Sequence, residues 1–394
     1  MRILHVICTT SAESGGPVEA LLRISEVLVR EGHQVHVVSL EHSGEIATPS
    51  FPISITGVGR GLGKYRFNPS LTHWLNQHVQ SYDVVILHGL WNYSSLGAWR
   101  ALRRNRTPYF VFAHGMMDPW FRQSYPIKHL FKQAYWMLFE GRVLRDSQAV
   151  LFTCEEERLR ARGVFGGHHY RELVTLLGTA EPSGDETLDE GSFLAAFPQF
   201  RDKRYLLFLG RVHPKKGCDL LVEAFAQCSA HLPPDLDIVM AGPDEVGWVP
   251  ELQAKAKKLG VAGRVHWTGM LRGTLKWGAL RRAEALILPS HQENFGFVVA
   301  EAMACSTPVL LSNKVNIWRE VEASNAGLVE QDTVEGTRKL IMRFCLASAE
   351  SRACMALNAR ASFLKNFDVE VTVPGFIKHI EYLSYQPVYA GAAR

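Results

Sequence analysis

The chain alternates between short apolar runs and longer amphipathic stretches. In the first half, helical periodicity is clearest from Val18 to Arg30, where one side stays largely apolar until Gly32 ends the pattern. Apolar runs typical of buried strands flank such stretches at Ile3–Cys8, Val35–Leu40, Val84–Leu87, Tyr109–Ala113, Ala149–Thr153 and Leu173–Leu177. Strands that alternate with helices predict a parallel sheet covered by helices.

A second series of the same kind follows a polar break at 178–204, which predicts an interdomain linker with a short helix. The later strands are predicted at Tyr205–Leu209, Asp237–Ala241, Val265–Thr268, Ala285–Leu288 and Pro308–Leu311, with helices near Cys218–Ala230, Glu251–Leu259 and Phe297–Cys305. The pattern therefore predicts an α/β protein with two doubly wound, Rossmann-like domains at 1–185 and 200–365. A helical tail at 366–394 follows, and the pattern does not indicate where it docks.

Composition agrees with two globular domains, since the 394 residues are 47% hydrophobic and 21% charged. The seven cysteines are scattered without metal-ligand spacing, which favours reduced thiols. The apolar start of the chain is too short for a signal peptide, and no run approaches the roughly 20 apolar residues of a membrane span. We therefore expect a cytoplasmic protein that is not integral to a membrane.

The segment 99–145 is basic and rich in aromatic residues, although the net charge of the whole chain is only +4. Two interpretations stay open. The segment forms a surface for an anionic membrane face or a phosphate-bearing acceptor, or it is a solvated basic helix whose aromatic side chains face the core. The small net charge and the lack of a known module argue against nucleic-acid binding.

The richest chemistry lies in the segment 290–312, where a predicted strand leads through a loop into a helix. The loop carries Glu293, Asn294, Phe295 and Gly296, and Glu301 lies in the helix. Glycine lets the backbone approach a ligand, and a helix start favours an anion. A carboxylate among apolar neighbours, as at Glu301, is expected to be paired or ligand-bound.

A second loop follows the strand that ends at Leu209. Gly210 and Arg211 open it, and Lys216 and Gly217 close it before the next helix. Two cations beside a helix start suit a diphosphate and would stabilise a leaving group without a metal. The alternative is an ordinary strand-to-helix turn with exposed cations.

Together the two loops resemble the signature of the retaining GT-B glycosyltransferases of family 4, also called glycosyl transferase group 1. That fold has two Rossmann-like domains facing across a cleft that holds a nucleotide sugar. The resemblance implies that Arg211 and Lys216 bind the donor diphosphate beside Gly210. It also implies that Glu293 contacts sugar hydroxyls, assisted by the backbone N–H groups of Asn294, Phe295 and Gly296, that Glu301 binds the ribose, and that Met270 and Leu271 lie near the base.

In the first half, Gly15 and Gly16 resemble the glycine loop of this family, which faces the donor phosphate and the acceptor. His114 follows a strand and, by the same resemblance, contacts the donor sugar near the reaction centre. His88 follows the preceding strand and is an acceptor-side candidate. The catalytic set expected from the resemblance is thus His114, Arg211, Lys216 and Glu293. Ser306 departs from the family, which usually has glycine there.

The resemblance predicts transfer of a hexosyl group from a UDP- or GDP-sugar to a saccharide or lipid-linked acceptor, with retention and without a metal or other cofactor. A role in bacterial surface polysaccharide or glycolipid synthesis is expected, at the inner face of the membrane. The Asp235-Leu236-Asp237 segment has metal-binding spacing but is interpreted as a strand-entry turn. The alternatives are an epimerase or phosphorylase on the same fold and a sugar-binding protein without catalysis.

Overall fold

The computed structural model describes residues 1–11, 15–45, 53–182 and 184–388, which form two compact units. The first unit contains residues 1–178 and the chain from Val369 onward, and the second is Thr179–Asp368. Each unit has its own parallel sheet with helices around it. The predicted α/β class is confirmed.

The sheet of the first unit has seven parallel strands in the order β3-β2-β1-β4-β5-β6-β7. The strands are β1 (Arg2–Ile7), β2 (Gln34–Ser39), β3 (Ser54–Gly57), β4 (Val84–His88), β5 (Tyr109–Phe112), β6 (Ala149–Phe152) and β7 (Glu172–Val174). The central strands are buried on both faces, as expected where helices cover a parallel sheet.

In the described ranges, seven α-helices precede the second unit. They are α1 (Gly16–Arg30), α2 (Pro69–His78), α3 (Tyr93–Asn105), α4 (Trp120–Ser124), α5 (Pro126–Tyr135), α6 (Gly141–Arg145) and α7 (Glu155–Ala161). Asn68 and Asn92 are the N-cap residues of α2 and α3. The side chain of each accepts a hydrogen bond from the backbone N–H two residues later. A π-helical turn at Trp136–Glu140 joins α5 to α6.

The sheet of the second unit has six parallel strands in the order β10-β9-β8-β11-β12-β13. They are β8 (Arg204–Leu209), β9 (Leu236–Ala241), β10 (Val265–Gly269), β11 (Ala285–Leu288), β12 (Val309–Ser312) and β13 (Gly327–Glu330). The helices are α8 (Glu186–Ala196), α9 (Cys218–Cys228), α10 (Val249–Lys258), α11 (Gly273–Arg282), α12 (Phe297–Ala304), α13 (Trp318–Ala323), α14 (Val334–Leu346) and α15 (Ala349–Ser362).

The short helix predicted in the polar break at 178–204 is present, but the second unit begins at Thr179 and not at 200 as predicted, so the break is only partly a connection. It contains α8, which packs on α11 so closely that a Cβ on Gly278 would lie 2.1 Å from the Asp189 carbonyl oxygen. Arg281 of α11 also lies 3.4 Å from the Asp189 carboxylate. Helix α8 is therefore part of the second unit. Because the exposed side of α8 is polar, the composition of the segment does not reveal that its other side packs on α11.

The C-terminal helix α16 (Val369–Ser384) packs on the first unit, although it follows the second in sequence. Glu370 forms an ion pair with Arg30 of α1. The Phe376 ring lies 5.9 Å from that of Phe112 in β5. The structure thus supplies the docking site that the sequence left open.

Both sheets place their first strand between the second and fourth strands of the same unit. The chain therefore winds in opposite directions on the two sides of β1, and likewise of β8. Connections on the two sides of such a point diverge and leave a crevice outside the carboxyl ends of the strands, where ligands bind in open α/β sheets. The loops after β1, β4, β8 and β11 border these two points. None of the helices in the described ranges is long and apolar enough to cross a membrane.

Candidate functional site

The loops after β8 and β11 are joined to each other directly. The backbone N–H of His291 donates to the Lys215 carbonyl oxygen at 2.8 Å. Gly217 has φ 64°, and a Cβ there would lie 2.2 Å from the Pro289 carbonyl oxygen. Only glycine fits this conformation and this approach without displacing backbone. The two sequence motifs therefore form one surface.

Lys216 and Glu293 form an ion pair across these two loops. Their side chains are 13% and 23% exposed, so the pair is largely withdrawn from water. The backbone of Glu293 is fixed by two hydrogen bonds of 3.0 Å, one donated to the Lys314 carbonyl oxygen and one accepted from the Asn316 N–H. The Asn316 side chain donates to Asn294 Oδ1 at 3.2 Å. Two of the residues expected to act together are thus in contact.

The start of α12 adds an anion-binding feature beside this pair. Gly296 precedes the helix with φ 73° and, as the N-cap residue, has no side chain to cap the first backbone N–H groups. Phe295 is buried and packs against Phe297 and Phe367, with ring centroids 5.0 and 5.8 Å away. The phenyl ring therefore anchors the loop, while an uncapped helix start suits a phosphate.

Glu301 is 6% exposed within an otherwise apolar stretch of α12. Its Oε1 lies 2.8 Å from Nζ of Lys276, which comes from α11 and also lies 4.2 Å from the centre of the Trp277 ring. The expected pairing of this buried carboxylate is present. Its contact with a ribose stays a prediction.

Arg211 is exposed and pairs with Glu245 at 2.8 Å rather than with either motif carboxylate. The neighbouring backbone is tightly packed, because a Cβ on Gly242 would lie 1.8 Å from the Gly210 carbonyl oxygen. His213 accepts a hydrogen bond from the Lys215 N–H at 3.1 Å. Burial, followed by the positive charges of Arg211 and Lys215, lowers the pKa of His213.

The predicted base-binding residues follow β10 at one edge of the second sheet. Met270 is 53% exposed, whereas Leu271 is only 5% exposed. Leu271 therefore packs into the unit, and Met270 is the one of the two with side-chain surface to offer a ligand.

In the first unit, Gly15 precedes α1 with φ 68° and Gly16 is the first residue of that helix. Shortly after β1, Thr10 is held by Glu41, whose Oε2 accepts hydrogen bonds from the Thr10 backbone N–H and hydroxyl at 2.7 and 2.8 Å. Burial by itself would raise the pKa of Glu41. Hydrogen bonds from Thr9 and Thr10 together lower it by a larger amount, so the pKa lies below its ordinary value.

His114 follows β5 in a left-handed conformation with φ 49°. Glu157 holds the adjoining loop, because its carboxylate accepts the Gly115 N–H at 2.5 Å and the Thr153 N–H at 2.6 Å. A non-glycine residue at positive φ is strained and is often found at functional sites.

His114 ends a row of three imidazoles, which we call the histidine row. His88 Nδ1 lies 3.0 Å from His114 Nε2, and His88 Nε2 lies 2.8 Å from His5 Nδ1. His88 is 3% exposed, so no ring nitrogen is left for the acceptor that the sequence suggested. His5 was missed, although a lone histidine in the apolar strand RILHVI was a usable signal.

Lys276, Glu245 and Asn316 were also missed. Lys276 contacts the Glu301 carboxylate, Glu245 contacts the Arg211 guanidinium and Asn316 contacts the Asn294 amide. Each partner lies more than 20 residues away in sequence, so no local spacing marks these contacts. Ser306 has φ 57°, so the left-handed turn usual for glycine in this family persists with serine.

Among the described residues, no group of three or more His, Cys, Asp or Glu side chains is arranged to hold a metal ion. Asp237 of the metal-like spacing is fully buried in β9. Its carboxylate lies 2.9 Å from His266 Nε2 and 3.5 Å from Lys203 Nζ. These contacts make it a structural residue at the start of the strand.

The basic segment divides between the two interpretations left open above. Trp136 is 1% exposed and Phe139 packs against the core of the first unit. Ile127, Leu130 and Phe131 of α5 are instead 71%, 69% and 75% exposed. The aromatic residues therefore face both the core and the surface.

Comparisons with known proteins agree with this architecture. The model of "Glycosyl transferases group 1" matches residues 193–362, and that of "Glycosyl transferase 4-like domain" matches residues 15–178. A D-inositol 3-phosphate glycosyltransferase of Jonesia denitrificans is 27% identical over 71% of this chain and 67% of its own length. A phosphatidyl-myo-inositol mannosyltransferase of Mycolicibacterium smegmatis is 26% identical over 85% of this chain and 82% of its own.

Among solved structures, Anabaena HepE in complex with UDP and glucose superposes with a TM-score of 0.75 at 18% identity. The superposition covers 97% of this chain and 100% of HepE. This likeness establishes the GT-B fold. The two adjacent family matches, the strand order of both sheets and the paired Lys216 and Glu293 loops lead to one conclusion: the chain belongs to the group 1 glycosyltransferases of the GT-B fold.

Proposed function

We propose that the protein transfers a hexosyl group from a nucleoside-diphosphate sugar to an acceptor hydroxyl, with retention of anomeric configuration and without a metal. The observation that carries the proposal is the joined pair of loops after β8 and β11. It brings Lys216, Glu293 and the uncapped start of α12 onto one surface. A diphosphate fits a cation beside free backbone N–H groups.

In this proposal, the diphosphate displaces the Glu293 carboxylate from Lys216 when the donor binds. Lys216 and Arg211 then stabilise the negative charge that develops as the nucleotide leaves. Glu293 becomes free to accept hydrogen bonds from sugar hydroxyls. The ion pair thus keeps both side chains positioned before the substrate arrives.

Retention follows from front-face attack in the proposed mechanism. The acceptor hydroxyl approaches the side from which the nucleotide departs, and a diphosphate oxygen takes its proton. The protein supplies position and electrostatic stabilisation, and it forms no covalent bond to the sugar.

The test is product formation by the full chain with UDP-, GDP- and ADP-sugars, after a thermal-shift screen selects the donor that stabilises the fold. We expect the product to keep the donor's anomeric configuration in its proton NMR spectrum, and turnover to persist in excess EDTA. An inverted product or a strict need for a divalent cation would refute the corresponding part of the proposal. A product formed without acceptor would identify an epimerase, a product that requires inorganic phosphate would identify a phosphorylase, and donor binding without turnover would identify a sugar-binding protein.

For the acceptor, we propose a phosphate-bearing molecule. A cavity of about 300 Å³ lies beside the loop that follows His114, and its lining includes Arg122, Lys128, His129, Lys132 and Asp118. The carboxylate among them, Asp118, is paired with Arg160 at 3.2 Å, so the remaining basic side chains suit a phosphate. Both curated relatives described above have names that include a phosphorylated inositol. The test is transfer with inositol 3-phosphate and unphosphorylated inositol competing as acceptors. Preferential transfer to inositol 3-phosphate supports a phosphate-bearing acceptor, and preferential transfer to inositol contradicts it.

We also propose that α5 contacts an anionic membrane surface. Its exposed residues Ile127, Leu130 and Phe131 recur at helical spacing, and the exposed Lys128 lies between them in sequence. An apolar face with flanking cations is typical of helices that lie in the headgroup region. Such a surface would hold the enzyme near a lipid-linked acceptor.

The membrane proposal is tested by co-sedimentation with phosphatidylglycerol and phosphatidylcholine vesicles. We expect binding to the anionic vesicles only, and its loss when Ile127 and Phe131 are both changed to Ser. The matched control changes Leu346 and Leu357, which are 75% and 71% exposed in the second unit, to Ser. Equal loss in both double variants, or no binding by the unaltered protein, would overturn the proposal.

A further inference from the structure

The histidine row crosses three neighbouring strands on one face of the first sheet. His5 lies opposite Ile86 in β4, and His88 lies opposite Phe112 in β5. The step from His5 to His88 therefore advances two residues toward the carboxyl edge, which keeps both rings on the same side of the sheet. His114 lies two residues beyond Phe112, just past the end of β5, and its ring stacks on that of His88 with centroids 5.3 Å apart. Phe112 stacks on His88 and on His114, with centroids 5.5 and 5.2 Å apart. The sheet and this phenyl ring thus hold the row in line.

The three rings are electrically neutral near pH 7. Burial lowers the pKa of His5 to about 3 and also lowers that of His114. Burial, followed by the neighbouring His5 and His114, lowers the pKa of His88 well below its ordinary value. A neutral imidazole has one N–H donor and one acceptor nitrogen, so each of the three rings carries a single ring proton.

Two hydrogen bonds between three neutral rings require all the N–H groups to point the same way along the row. Either every proton points toward His114, or every proton points toward His5. The two arrangements differ at the inner end, where His5 Nε2 is buried and has no partner in the described part of the chain. Protons directed toward His114 leave a lone pair on His5 Nε2. Protons directed toward His5 leave an N–H group on that nitrogen. An unpaired buried N–H is the rarer of the two in folded proteins.

We propose that His5 and His88 are positioning residues that fix the ring proton of His114 on Nδ1, so that His114 presents a hydrogen-bond donor to the substrate. With the protons directed outward, His5 Nδ1 donates to His88 Nε2, and His88 Nδ1 donates to His114 Nε2. His114 Nε2 is then an acceptor, and the remaining proton lies on Nδ1. The identity of the substrate rests on the proposed function, but the tautomer does not.

The consequence for the reaction is that His114 donates a hydrogen bond to a hydroxyl or phosphate oxygen and does not remove a proton. The row is not a proton relay, because its inner end stops at a fully buried His5 with no partner for Nε2 among the described residues. Its effect is to fix one direction of hydrogen bonding at the ring that the substrate meets.

The direct test is ¹⁵N NMR of the full chain labelled at histidine, recorded without substrate, with the three residues assigned by single substitutions. We expect a protonated Nδ1 and an unprotonated Nε2 for His114 near pH 7. An unprotonated Nδ1, or a charged ring, would overturn the proposal. The spectrum does not depend on glycosyl transfer, so its failure is distinguishable from failure of the proposed function.

Variants separate positioning from simple packing. His5→Leu removes the inner donor, and we expect the Nε2–H form of His114 to appear and kcat to fall about tenfold, as for loss of an outer partner of a functional histidine. His5→Asn returns an amide N–H and should restore both properties. The control is His36→Leu. His36 lies in β2 of the same sheet on the opposite face, and its ring bonds to Tyr82 and Thr56 at 2.5 and 2.8 Å. An unchanged His114 spectrum in His5→Leu, or an equal loss of kcat in His36→Leu, contradicts the assignment.

Discussion

The two units have the same central strand order, but they place opposite kinds of chemistry at the carboxyl edge of their sheets. The second unit has ion pairs there, Lys216 with Glu293 and Lys276 with Glu301, on side chains that are mostly shielded from water. The first unit has a row of neutral imidazoles that ends at His114. Topology therefore decides where a ligand can bind in each unit, and the side chains decide which kind of chemical group each edge can hold.

Under the proposed function, the difference matches two tasks. A nucleotide diphosphate brings charge, which a cation and helix N–H groups stabilise. A sugar hydroxyl brings no charge and requires a donor or acceptor of fixed direction. Charged groups at the edge of the first unit would attract counterions and titrate, whereas the buried neutral histidines there keep one protonation state. The following predictions test this division. We call the second unit the charged unit for its ion pairs at Lys216–Glu293 and Lys276–Glu301, and the first the neutral unit for its uncharged buried groups.

The largest expected effect is on catalysis in the charged unit. Lys216→Ala or Arg211→Ala should lower turnover at least about a hundredfold, because each removes a preorganised donor for the leaving diphosphate. The measurement is kcat with the donor selected by thermal shift. Lys255→Ala is the matched control, since Lys255 pairs with Glu223 at 2.8 Å on α10 and α9. Near-normal turnover in both variants would contradict the proposal that Lys216 and Arg211 stabilise the leaving diphosphate.

A smaller effect is expected from the neutral unit, at Glu140. This carboxyl is fully buried, and burial raises its pKa to about 7 despite hydrogen bonds from Ser95 and the Trp91 N–H. The unfolded chain ionises near its ordinary value of 4.5, while the folded protein keeps the proton until about 7. Stability from this group is therefore complete below pH 4.5 and is lost as the pH rises to 7.

Glu140→Gln removes that pH dependence. At about 1.4 kcal/mol per pKa unit, the variant should be more stable than the original protein by up to about 3 kcal/mol at pH 8, and nearly equal to it at pH 4. Urea unfolding at the two pH values measures the difference. A stability gain of the same size at both pH values would show that ionisation of Glu140 is not the cause.

The smallest effect concerns the contact between the two loops of the charged unit. Gly217→Ala should lower the free energy of unfolding by about 1–3 kcal/mol and weaken donor binding, because its Cβ would meet the Pro289 carbonyl oxygen. Gly260→Ala is the control. Gly260 has φ 75°, but a Cβ there has no atom within 4 Å. Equal donor affinity in the two variants would show that the contact does not shape the site.

The alternation of apolar and amphipathic segments was enough to predict the α/β class and most strands, because burial on both faces of a parallel strand requires a continuous apolar run. The edge strands β3 and β13 were missed. Their residues are only partly buried, and their runs are correspondingly mixed in polarity. Likewise, the polar exposed side of α8 concealed that its other side packs on α11.

The sequence alone also located both loops of the charged site, because glycines, cations and carboxylates occur there at short spacings next to strand ends. Only the tertiary structure decided which side chains meet across long separations, such as Lys276 with Glu301, His5 with His88, and α16 with the first unit. The reason is physical. Periodicity records which side of an element is buried, but contacts between distant elements depend on strand order and register, which no local pattern encodes.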